Sequence, residues 1–140
     1  MLVEKLRRAG ARDQALALCQ DLVREAPDDP DPLRAAALIS REAGQGQMAA
    51  PLLERAIDLA PGRADLLCDY AALLRDLGED AGAEETFAKA AMLDPACHPA
   101  HLALAEIYEA EGRIGDAIRH LETLVALDPG ALDPDRKSVV

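Results

Sequence analysis

One interval governs this chain: residues of the same kind return every 34 positions. Prolines stand at Pro27, Pro61, Pro95 and Pro129, glycines at Gly10, Gly44, Gly78 and Gly112, and alanines at Ala15, Ala49, Ala83 and Ala117. A larger apolar series runs Cys19, Leu53, Phe87 and Leu121, and another runs Leu22, Ala56, Ala90 and Leu124. Series held in one common register imply a stack of similar units, each buried mainly against its neighbours.

Each series has a mechanical reading within a helix-turn-helix unit. The glycine follows an apolar-periodic run such as LLCDYAALLRDLG, where a helix end needs a left-handed residue. The alanine sits early in a second helix, where a small side chain lets two backbones approach. The residues four and then three further on share its face and form the seam. The proline stops the second helix because its ring cannot continue one. Half the residues are hydrophobic and only 2% aromatic, so the apolar content is largely Ala and Leu, both good helix formers. The pattern predicts an all-α chain with helices near residues 1–9, 12–26, 31–43, 47–59, 64–77, 80–93, 98–111 and 114–127.

This punctuation resembles the tetratricopeptide repeat family, whose pattern runs W-x2-L-G-x2-Y, then A-x3-F, then P. Tyr70 stands at the Leu site, Tyr108 at the Tyr site and Phe87 at the Phe site, beside the periodic alanines and prolines. The Trp site holds Leu33, Leu67 and His101, and the Gly site holds Val3, Ala37, Ala71 and Ala105. The resemblance covers residues 1–130, with repeats near 1–29, 30–63, 64–97 and 98–131, the first lacking the opening of its first helix. It implies an α-solenoid of about eight helices wound as a right-handed superhelix, with a groove lined by the first helix of each pair.

Such a groove implies a protein or peptide partner. Its candidate residues here are Arg7, Arg34, Leu38, Arg41, Cys68, Ala72, Arg75, Leu102, Glu106 and Glu109. Arg7, Arg41 and Arg75 keep the period and then give way to Glu109. A row of guanidinium forks suits peptide carboxylates. The plainer reading makes each arginine a last-turn residue facing its helix dipole, with Glu42 or Asp76 close by. Chaperone-binding members of the family clamp carboxylates with Lys and Asn, and this chain contains no Asn, so that activity is not carried over.

A formal net charge of -11 repels phosphate backbones and anionic lipid, so neither nucleic acid nor a membrane surface is an expected partner. Three cysteines, Cys19, Cys68 and Cys97, fit reduced thiols better than a disulfide framework. With no signal-peptide pattern at MLVEKLRRAG, a cytoplasmic location is expected. The cluster CHPAH (Cys97, His98, His101) offers too few donors for tetrahedral zinc, and no spacing motif recruits His120. Ser40 is the sole serine of the repeat body, and no phosphate loop is present. The segment is therefore expected to carry no cofactor, metal or catalysis of its own.

The ending raises a separate expectation. After Pro129 the period calls for a further first helix, with 131–134 as its start, to cover Leu121, Leu124, Val125 and Leu127. Left uncovered, that end would favour self-association. Asp135–Val140 (DRKSVV) instead resembles the translation of a common short-read sequencing adapter, which would make the fragment's natural frame longer. The leading reading is a scaffold that binds a partner segment in its groove. The alternative is a substrate-recruiting region of a larger enzyme, such as a glycosyltransferase or sulfotransferase.

Overall fold

In a computed structural model, residues 2–130 are described, and the expectations for 131–134 and 135–140 lie outside them. Their order is α1 (Leu2–Arg8), α2 (Arg12–Glu25), α3 (Pro30–Glu42), α4 (Gly46–Leu59), α5 (Ala64–Asp76), α6 (Asp80–Leu93), α7 (His98–Ala110) and α8 (Ile114–Leu127). No strand occurs among the described residues. The predicted bounds agree to within a residue or two.

The periodic glycines end the first helices by one repeated device. Gly10, Gly44, Gly78 and Gly112 take φ between 76° and 81°. After α3 the Gly44 N–H donates to the Arg41 carbonyl and the Gln45 N–H to the Ser40 carbonyl, the paired closure of a Schellman turn. The same closing bond recurs from Ala11 to Leu6, Glu79 to Leu74 and Arg113 to Tyr108. The second helices stop just before Ala26, Ala60, Asp94 and Asp128, whose backbones leave the helical region and in Asp94 and Asp128 are extended, as the following proline disfavours helical geometry there. At α3, Asp29 caps the new helix by accepting from the Asp31 N–H at 2.9 Å, with Pro30 at the first helical position.

Helices pair within units and then stack between them. Ala15, Ala49 and Ala83 are fully buried where second helices approach first ones. Leu53 beside Ala49 packs against Leu73 of the next unit, and Phe87 shares a cluster with Ala71, Ala90, Ala100 and Leu104. The core is thus a continuous ribbon in which each unit covers the next. First helices follow one another along one face: α1 touches α3, and α3 touches α5.

Candidate functional site

Ion pairs link each first helix to its successor. Arg7 on α1 pairs with Glu4 on its own helix and with Glu42 on α3. Arg34 and Arg41 on α3 pair with Asp69 and Asp76 on α5. Arg63, just before α5, reaches Asp31 on α3 and, at 2.7 Å, Asp65. Arg75 on α5 reaches Glu106 on α7 at 3.2 Å.

Arg7–Glu42, Arg34–Asp69 and Arg41–Asp76 are each separated by 35 residues, one more than the period. An arginine of one unit therefore meets the acid one step further along in the next. Where that step would reach Ala110, Arg75 takes Glu106 instead.

These pairs reinforce their own charges. Hydrogen bonding to Asp69 and to Asp76 raises the Arg34 and Arg41 pKa values, and the Arg63 hydrogen bond holds the Asp65 carboxyl below its ordinary range against partial burial. Side chains about a third exposed remain well hydrated, so each pair contributes about 0–1 kcal/mol. Their effect is mainly to set inter-unit register and to occupy the guanidinium forks.

Between α3, α5 and α7 lies a cavity of about 330 Å³. Cys68, Ala72, Phe87, Leu102 and Ala103 supply apolar walls, while the Arg34–Asp69 and Arg75–Glu106 pairs stand at its rim. Leu102 is 45% exposed, an apolar side chain left open to the groove.

The cavity brings together Arg34, Cys68, Ala72, Arg75, Leu102 and Glu106 from the expected set. Leu38 and Arg41 line a separate depression with Glu42 and Asp76. Arg7 sits at the α1–α3 contact, and exposed Glu109 joins neither hollow. Sequence reasoning passed over Asp69 and Phe87. Asp69 follows Cys68 on α5, and a step of one period plus one from Arg34 would have found it. Phe87 was read only as a seam residue.

The CHPAH cluster divides. Cys97 Sγ lies 3.4 Å from Cys68 Sγ, and His98 is exposed. Buried His101 contacts the Pro95 carbonyl through Nε2 at 2.8 Å and His120 Nδ1 through its own Nδ1 at 2.9 Å. A carbonyl only accepts, so His101 Nε2–H donates to it, and neutral His101 then accepts from His120 Nδ1–H. Burial, then the neighbouring His101 and Arg119, lower the His120 pKa, with Asp116 opposing. No group of three or more His, Cys, Asp or Glu among the described residues is arranged to hold a metal ion. None of the described helices is long and apolar enough to cross a membrane.

The tetratricopeptide repeat family matches residues 40–107 and 81–139. Among solved structures, a crystal structure of MamA superposes with a TM-score of 0.79 at 19% identity, covering 94% of this chain and 77% of that one. A further MamA structure is 27% identical with a TM-score of 0.71, covering 93% and 71%. YrrB, described as a TPR protein with an unusual peptide-binding site, superposes with a TM-score of 0.75 at 17% identity, covering 92% and 66%. No curated protein matches. With its helices, its glycine and proline punctuation and its continuous core, the chain belongs to the tetratricopeptide repeat family and is a protein-interaction scaffold of the α-solenoid type.

Proposed function

We propose that the face formed by α1, α3, α5 and α7 binds an extended segment of a partner protein. An apolar side chain of that segment enters the cavity between α5 and α7, and a basic residue lies beside it. The observation that carries this reading is the apolar hollow at Cys68, Ala72, Phe87 and Leu102, framed by charges.

Two features support the choice of partner. Covering Leu102 and filling the hollow removes apolar surface from water, worth about 1.5–3 kcal/mol for one fully buried aliphatic side chain. The arginines of the row already face carboxylates of their own chain, so an incoming carboxylate would have to displace an internal acid. A cation instead adds to Glu106 or Asp65, within a chain of net charge -11.

A peptide array varying one apolar and one charged position, probed with the wild-type chain and with Leu102→Glu, tests the proposal. Basic peptides with a Leu or Met should be retained by wild type and weakened roughly tenfold or more by the substitution, which corresponds to about 1.4 kcal/mol. Retention of acidic peptides alone, or equal binding by both proteins, would overturn it.

A further inference from the structure

Cys68 and Cys97 are paired in a way that neither the fold nor the groove requires. Cys68 lies on α5 and lines the groove cavity, whereas Cys97 is the residue before α7. Their sulfurs are 3.4 Å apart, both side chains are buried, and they belong to one core cluster. The contact joins α5 to the residue that precedes α7, beside the cavity that Cys68 lines.

We propose that Cys68 and Cys97 form an oxidation site, at which a hydroperoxide converts the dithiol into a disulfide that ties α5 to α7. Burial pushes the Cys68 thiol up to about 12; Cys97, the N-cap residue of α7, is taken as the sulfur that meets the peroxide first, with Cys68 resolving. Its thiolate attacks the peroxide O–O bond, which breaks; Cys97 becomes a sulfenic acid and the leaving hydroxide takes up the proton released by the thiol. The Cys68 sulfur then attacks the Cys97 sulfur, and the departing hydroxide carries away the Cys68 proton as water. Two thiols and hydrogen peroxide give one disulfide and two waters. The sulfurs together lose the electron pair that the peroxide gains.

Proximity favours the second step, because the resolving sulfur is already in van der Waals contact. Bond formation draws the sulfurs to about 2.05 Å, moving the start of α7 toward α5 and with it Pro99 and Leu102 of the cavity wall. That effect on the groove rests on the reading given under Proposed function, whereas the cross-link itself does not.

The test treats the full chain with hydrogen peroxide, then alkylates and digests it for mass spectrometry. A monomer lighter by two hydrogens is expected, with Cys68 and Cys97 in one linked peptide pair and Cys19 still open to alkylation after denaturation. The melting temperature should rise by roughly 5–10 °C and fall back with reductant. Cys68→Ser and Cys97→Ser should each abolish both changes. A link involving Cys19, dimers joined between chains, or sulfinic acid at Cys97 with Cys68 left as a thiol would each overturn the proposal. None of these readouts depends on peptide binding, so failure here is separable from failure of the groove reading.

Discussion

Arg41 on α3 and Asp76 on α5 lie 35 residues apart in sequence and share a hydrogen bond, repeating the relation of Arg7 to Glu42. An offset one greater than the repeat length makes each such pair a contact between units. Arg41→Asp alone sets like charges against each other and should lower stability by about 0.5–1 kcal/mol. Adding Asp76→Arg should restore most of it. Urea denaturation of the wild type, both single variants and the double variant reads the coupling, which should fade at about 1 M salt. Additive single effects would show that the pair is incidental.

Gly78 closes α5 at φ +81°, and a Cβ built there meets nothing within 4 Å. The cost of Gly78→Ala is therefore conformational and should be about 1–2 kcal/mol. Gly62 also faces open space but without a left-handed backbone, so Gly62→Ala should change stability by less than about 1 kcal/mol in either direction. Similar midpoint shifts for the two variants in chemical denaturation would contradict this account.

Pro51 lies inside α4, exposed, beyond the first turn. With no N–H, it leaves the Gln47 carbonyl without its helical donor. Pro51→Ala should stabilise the chain by about 1–3 kcal/mol, measured as a raised urea midpoint. An unchanged or lowered midpoint would mean the ring makes a compensating contribution.

His101 and His120 predict an acid-sensitive last unit. The His120 pKa is lowered in the folded chain, so the unfolded chain binds the proton more readily. The associated stability is complete above the unfolded value near 6.5 and declines as pH falls toward the lower folded value. The melting temperature should drop between about pH 7 and 5, and His120→Gln should flatten that dependence. Asp116, Arg119, Tyr108 and Arg113 surround the pair and remain in the variant, so an unaltered slope would assign the effect to them.

Helix bounds were readable because Gly44, Gly78 and Pro61 act on the backbone alone, and backbone constraints are local. The ion pairs were harder to read, since the step from Arg34 to Asp69 exists only once the twist between units is known. His120 was set aside for want of a spacing motif, yet Leu33 and Leu52 occupy the corresponding places one unit pair earlier and share a cluster. Transferring that contact by two periods leads to His101 and His120. Cys68 and Cys97 were read apart, as a groove filler and as a member of a metal-like cluster. Only the approach of α7 to α5 unites them.

The row of first helices is also a vector. At its α1 end Lys5, Arg7 and Arg8 stand on one helix with Glu4, whereas α7 carries Glu106 and Glu109 and no lysine or arginine. A ligand with its basic residues at one end would therefore experience a different potential when reversed. The same groove distinguishes head from tail before any side chain is fitted, which gives the scaffold a polarity of reading as well as a place to bind.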